Sequence, residues 1–156
     1  MLNVEIPGYQ KISLQYLVLD YNGTLAVDGV LEPGAAEGLR RLAQSLEIHV
    51  VTADTFGKVR AALADLPCKV TILEPGLQDI AKLEYVRSLG CQVTACVGNG
   101  RNDRLMLRAA ALGLAVVLAE GAATPTILAA DIVCNKIADA LDLLANPLRL
   151  TATLRA

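Results

Sequence analysis

Nearly continuous apolar runs alternate along this chain with stretches whose apolar residues recur every three or four positions. The run Ile12–Leu19 predicts a strand. Gly34–Leu46 predicts a helix, with Ala36, Leu39, Leu42, Ala43 and Leu46 on one stripe. Strand Ile48–Ala53, helix Phe56–Leu66 and strand Cys68–Leu73 continue the alternation. Helix Leu77–Gly90 follows, with apolar positions Ile80, Leu83, Val86 and Leu89, and Gly90 as its stop. Strand Gln92–Gly98, helix Arg101–Gly113, strands Leu114–Ala119 and Ala130–Asn135, and helix Lys136–Asn146 complete the series, with Pro147 just beyond. Strands that are apolar throughout, separated by helices, predict an α/β domain: a mainly parallel sheet covered by helices on both faces. Pro7-Gly8 predicts that residues 1–15 include a hairpin strand laid against the first core strand. The tail, residues 149–156, has no place in the repeat and reads as an added edge strand or a frayed end.

Composition narrows the classes. The 156 residues fit one domain. Hydrophobic residues make up 54% but aromatics only 3%, so the core is aliphatic. The longest uninterrupted apolar run, Ala109–Ala119, is far short of the roughly 18 residues a spanning helix needs. The start of the chain lacks the basic-then-apolar order of a signal peptide. The expectation is a soluble, cytoplasmic protein with no membrane association. A net charge of −2 without a basic cluster argues against nucleic acid as partner. Cys68, Cys91, Cys96 and Cys134 form no CxxC pair and read as buried free thiols. The single histidine, His49, lies inside an apolar run and reads as a packed side chain, which leaves histidine-based hydrolase triads little support.

In such a sheet, ligands collect where the strands end. Polar residues sit there in four loops: Asp20, Asn22, Gly23 and Thr24; Thr52, Asp54 and Thr55; Glu74; and Gly98 through Asp103. Lys82, in the helix after the third core strand, can reach the same edge. Each loop alone also fits an ordinary role, Asp20 capping a turn, Thr52 capping a helix and Asn99-Gly100 making a tight turn. Together they gather a nucleophile, a hydrogen-bond donor, an ammonium and a second carboxylate, a set able to handle a phosphate. Gly23 and Gly100 let backbone N–H groups approach it.

These residues resemble the motifs of the haloacid-dehalogenase-like hydrolases. Asp20-Tyr21-Asn22-Gly23-Thr24 resembles the DxDGT motif, Val50-Val51-Thr52-Ala53-Asp54 the second, Lys82 the third, and Val97-Gly98-Asn99-Gly100-Arg101-Asn102-Asp103 the GDGxND motif. The closer likeness is to the phosphorylation domain of P-type ATPases, whose DKTGT also lacks the second Asp. Their TGD is similar to Thr52-Ala53-Asp54 and their AADIV-like strand to Ala129–Val133. Only about 27 residues separate Thr24 from Thr52, so the pumps' nucleotide-binding insertion has no counterpart and the chain looks like a soluble, capless relative. The resemblance implies a three-layer Rossmann-like domain without a cap. It implies Mg²⁺ as cofactor and a phosphohydrolase or phosphotransferase acting through an aspartyl phosphate at Asp20. Asp20, Asn22, Thr52 and Lys82 would form the catalytic set, and Gly23, Thr24, Thr52, Ala53 and Lys82 would bind phosphate. Asp20, Asn22 (through its carbonyl), Asn99 and Asp103 would take the metal, with Asp54 and Asn102 supporting them.

Two departures follow from this pattern. Asn22 stands where phosphatases of the superfamily carry the acid that protonates the leaving group, and an amide exchanges no proton. General acid–base help is worth about 10²–10⁴ in rate, so turnover of ordinary monoesters should be slow. Asn99 stands where an Asp metal ligand is usual, so metal binding should be weaker, and Asp103 either replaces it as ligand or holds the loop behind it. The alternative is a weakly active or inactive scaffold that binds phosphate, nucleotide or a protein partner. The flap Ala26–Gly34 is too short for a lid, which leaves an open site for a phosphorylated substrate. The apolar composition is compatible with a homo-oligomer.

Overall fold

The computed structural model describes residues 1–54 and 57–156. Strands β1 (Leu2–Glu5) and β2 (Lys11–Leu14) form an antiparallel hairpin around Pro7-Gly8, and β3 (Tyr16–Leu19) opens the central sheet. The expected strand Ile12–Leu19 is therefore two strands, and the hairpin is a sheet of its own rather than a neighbour of β3. The break falls at Gln15, whose amide bonds Val93 and whose carbonyl accepts from Glu47. A two-stranded flap follows, β4 (Ala26–Val27) and β5 (Val30–Leu31).

The remaining strands are β6 (Glu47–Thr52), β7 (Lys69–Ile72), β8 (Thr94–Gly98), β9 (Leu112–Val116) and β10 (Ile132–Cys134). With β3 they make a parallel sheet in the order β10-β9-β8-β3-β6-β7. The helices are α1 (Ala35–Leu42), α2 (Val59–Ala62), α3 (Gln78–Leu89), α4 (Arg104–Ala109), α5 (Thr124–Ala129), α6 (Ile137–Ala145) and α7 (Pro147–Leu154). Side chains alternate across the strands. Leu17, Leu19, Ile48, Val50, Ala95 and Val97 join Leu39 of α1, Leu141 of α6 and Leu150 of α7 in the larger core. Val18, Val51, Cys96 and Ala115 face the other way, onto Val86 of α3 and Met106 and Leu107 of α4. This is a three-layer α/β domain, and β3 is its switch point: the chain leaves it first towards β6 and later returns beside it at β8.

Four boundaries differ from expectation. The helix expected at Phe56–Leu66 is the single turn α2, and its start, with Phe56, lies outside the described residues. The helix expected to reach Gly113 ends at Ala109, because residues 112–116 pair with β8 as a fully buried strand. A Cβ at Gly113 would stand 2.6 Å from the Leu107 carbonyl oxygen, so glycine marks close helix–strand packing rather than a helix stop. Helix α5 was not expected. The tail is helical, as Pro147 opens α7 at the first position, where its missing N–H costs no hydrogen bond, and Leu150 is buried against the core. No helix among the described residues is long and apolar enough to cross a membrane.

Candidate active site

Asp20 lies one residue beyond β3, its N–H bonded to the Val97 carbonyl of β8, and is 7% exposed. The chain then folds back tightly: the amides of Thr24, Leu25 and Ala26 all donate to the Tyr21 carbonyl. None of these turn bonds goes to the Asn22 carbonyl. Gly23 has φ 78°, and a Cβ there would stand 2.3 Å from Asn99 Nδ2, so both conformation and space require glycine. Tyr21 is fully buried, and its hydroxyl donates to the Gly29 carbonyl at 3.0 Å, tying the flap to this loop. Asn22 Oδ1 is buried and accepts no hydrogen bond, which leaves an orphaned acceptor beside Asp20.

Lys82 enters from α3 and is fully buried. Its ammonium donates to Asp20 Oδ1 at 2.7 Å and to Asp103 Oδ1 at 2.6 Å. Burial alone would lower its pKa, but these two carboxylates override it and hold the group above the ordinary lysine range. Asp20 is pushed up to about 6 by burial and by the Asp103 charge, with Lys82 pulling against both. Asp103 is also fully buried, and its Oδ2 accepts from the amides of Asn99 and Gly100 at 3.0 and 2.9 Å. Both Asp103 oxygens are thus engaged, one by Lys82 and the other by the fourth loop.

Asn99 accepts from the Thr24 hydroxyl at 3.1 Å and donates through Nδ2 to the Gly121 carbonyl at 3.0 Å. The Thr24 hydroxyl also lies 3.4 Å from Asp20 Oδ2. Thr52, buried at the end of β6, accepts from the Asp54 amide at 3.2 Å; Ala53 and Asp54 are half-buried behind it. Asp54 adopts φ 49° and caps the amide of Val59 at 3.3 Å, a support for this loop and for α2. Thr55 lies outside the described residues. Glu74 is exposed and does not join the cluster. Asn102 donates to Gln78 at 2.9 Å and so ties the fourth loop to the start of α3.

Three contributors escaped the sequence reading. Thr126 of α5 is fully buried and donates to the Gly100 carbonyl at 2.6 Å; Gly121 receives Asn99; Gln78 receives Asn102. The signal for α5 was Thr124-Pro125, a helix-opening pair. All four cysteines are free, and burial pushes the Cys96 thiol well above its usual range.

The oxygens that could meet a divalent cation are those of Asp20, the Asn22 carbonyl and the Asn99 amide. They are all hard donors carrying one negative charge between them, a set that suits a hard cation with modest affinity. Among the described residues no group of three or more His, Cys, Asp or Glu side chains gathers for a metal.

An uncharacterized protein of Methanocaldococcus jannaschii, MJ0073, is 46% identical over 84 residues, which cover 51% of this chain and 90% of that protein. The chain belongs to the MJ0073 family. A second protein of that organism, MJ0072, is 44% identical over 39 residues, 25% of this chain and 89% of its own length. No family model matches. Among solved structures, 3-deoxy-D-manno-octulosonate 8-phosphate phosphatase from Moraxella catarrhalis, in complex with magnesium, phosphate and KDO, superposes with TM-score 0.70 at 15% identity, covering 86% of this chain and 87% of that one. A haloacid-dehalogenase-superfamily hydrolase from Legionella pneumophila gives 0.71 at 17% identity, covering 90% and 87%. A zinc-transporting PIB-type ATPase gives 0.64 at 24% identity over 79% of this chain but only 20% of the pump. This member of the MJ0073 family thus has the haloacid-dehalogenase-like fold in capless form, as the four motifs implied.

Proposed function

We propose that the protein is a Mg²⁺-dependent phosphohydrolase or phosphotransferase that works through an aspartyl phosphate at Asp20. The observation that carries this reading is the Asp20–Lys82–Asp103 cluster: a strand-end carboxylate held by a buried ammonium at the switch point of the sheet. Asp20, the Asn22 carbonyl and the Asn99 amide would hold Mg²⁺, which would supply positive charge to the transferring phosphoryl group. Two of the phosphatases that share the fold were solved with magnesium or cobalt, which supports the same cofactor class here.

In the first step an Asp20 oxygen forms a bond to phosphorus, and the leaving oxygen departs with the electron pair of the broken P–O bond. Lys82 and the Thr52 hydroxyl hold the phosphoryl oxygens while the rigid end of β3 keeps the attack in line. Water then cleaves the acyl phosphate, or another acceptor takes the phosphoryl group. Asn22 can orient the leaving oxygen or the water through its amide but transfers no proton to either. The site therefore favours leaving groups that need no protonation, such as the carboxylate of an acyl phosphate, and turns over ordinary monoesters slowly.

A second reading, a binding scaffold with little turnover, draws on the same two amides, Asn22 and Asn99, in place of carboxylates. Acid-quenched incubation with Mg²⁺ and acetyl phosphate separates the two. A phosphoryl group mapped to Asp20, and missing from Asp20→Asn, establishes the nucleophile. No adduct and no phosphate release, with Mg²⁺ binding confirmed, favours the scaffold.

A further inference from the structure

We infer that Tyr85, held by His49, is the positioning residue that sets the rotation of α3 and so delivers Lys82 to Asp20; this rests on the aspartyl-phosphate reading above. The apolar residues of α3 form only part of its buried side: Val86 is in the core and Leu89 packs against the same cluster, but two others stay outside. Ile80 is 44% exposed and Leu83 only half-buried, while Lys82 and Val86 are buried. Adjacent helical residues lie about 100° apart, so packing Leu83 inward would swing Lys82 off the site. Aliphatic burial on this side is confined to Val86 and the partly buried Leu89 in the C-terminal half of α3, and does not by itself orient the turn that carries Lys82.

Polar contacts do. Tyr85 follows Lys82 by three residues and shares its side of the helix. Its hydroxyl lies 2.7 Å from His49 Nδ1 on β6 and accepts from the Thr71 hydroxyl on β7 at 3.3 Å. His49 Nε2 lies 2.9 Å from Glu47, which also pairs with Lys69. The Tyr16 ring of β3 meets His49 edge-on at 5.8 Å, and the Tyr85 ring does so at 5.7 Å.

The protons follow from this geometry. A carboxylate only accepts, so His49 Nε2 carries hydrogen towards Glu47, and Nδ1 accepts from the Tyr85 hydroxyl. Every donor in the set then has an acceptor. A second proton on His49 would make Nδ1 a donor, reverse this hydrogen bond and turn the Tyr85 hydrogen to the Thr71 oxygen 3.3 Å away. Burial and the Lys69 charge hold the His49 pKa below its usual value, against Glu47, which keeps the neutral ring in place.

The test uses the full chain in four forms: parent, Tyr85→Phe, His49→Asn and His49→Leu. Asparagine at 49 keeps an acceptor for Tyr85; leucine keeps bulk but no acceptor. A displacement of about 1 Å can cost 10²-fold, so Tyr85→Phe and His49→Leu are expected to slow Asp20 phosphorylation by acetyl phosphate roughly 10- to 100-fold, with His49→Asn close to the parent. A readout independent of catalysis accompanies it: labelling of Lys82 by acetic anhydride, mapped by mass spectrometry. Lys82 should resist labelling in the parent and His49→Asn and become reactive in the other two. Equal labelling and equal rates in parent and Tyr85→Phe, or Asn and Leu at 49 behaving alike, overturns the inference. A parent that forms no adduct sinks the aspartyl-phosphate reading alone, since the labelling pattern still decides the role of Tyr85.

Discussion

At the scale of single residues, the cluster is one ammonium shared by two carboxylates, and burial first, then the Asp103 charge, raises Asp20 to about 6. Its folded pKa exceeds its unfolded one, so the stability it contributes is present below the ordinary Asp value and lost as pH rises through about 6. Ionised Asp20 is thus a burden on the fold near neutrality. Asp20→Asn should unfold at an equal or higher temperature than the parent at pH 7, with the difference vanishing below about pH 4, as read by thermal denaturation. Asp103→Ala has the opposite sign. It removes the acceptor of two loop amides and a buried partner of Lys82, and should cost about 3–5 kcal/mol in denaturant titration. Asn99→Asp places a carboxylate against the Gly121 carbonyl, where Nδ2 now donates at 3.0 Å. It should bind Mg²⁺ more tightly by calorimetry while losing about 1–3 kcal/mol of stability. Unchanged Mg²⁺ affinity would remove Asn99 from the metal set. The residues of the four motifs were legible because their types and spacing carry the chemistry. Gln78, Gly121 and Thr126 were not, since a hydrogen bond between distant loops leaves no periodic trace.

At the scale of elements, α3 shows how far periodicity reaches. Its span was readable from apolar spacing and Gly90, but its rotation was not, because Lys82 is buried beside Val86 while Ile80 and Leu83 on the same apolar stripe stay partly exposed. The network under α3 makes stability depend on pH. His49 has a folded pKa below its unfolded one, so its contribution is present above about pH 6.5 and is lost as pH falls through the folded value. Denaturant titration of the parent should show stability falling on acidification below that point, and His49→Asn should flatten this part of the profile. Helix α4 and β9 share an almost unbroken apolar stretch, and there the boundary is set by pairing of β9 to β8 rather than by any local signal.

At the scale of the whole molecule, what matters is what the chain inserts between its motifs. Among the described residues, the elements between β3 and α1 are the two short flap strands, which leave no room there for a nucleotide-binding insertion. The adenosine of ATP should therefore add no affinity: ATP and inorganic triphosphate should compete equally against acetyl phosphate for Asp20, and a clear preference for ATP would point to a nucleotide site. The sequence by itself determined the α/β class, the parallel sheet and the four strand-end loops, because apolar periodicity and short-range motifs are local properties of the chain. Tertiary structure alone decided the separate N-terminal hairpin, the helical tail, and the hydrogen bonds by which Asp103, Thr126, Gly121 and Gln78 hold the fourth loop. Each of these depends on which distant group satisfies a buried charge or backbone amide, and that is settled only when the strands are side by side.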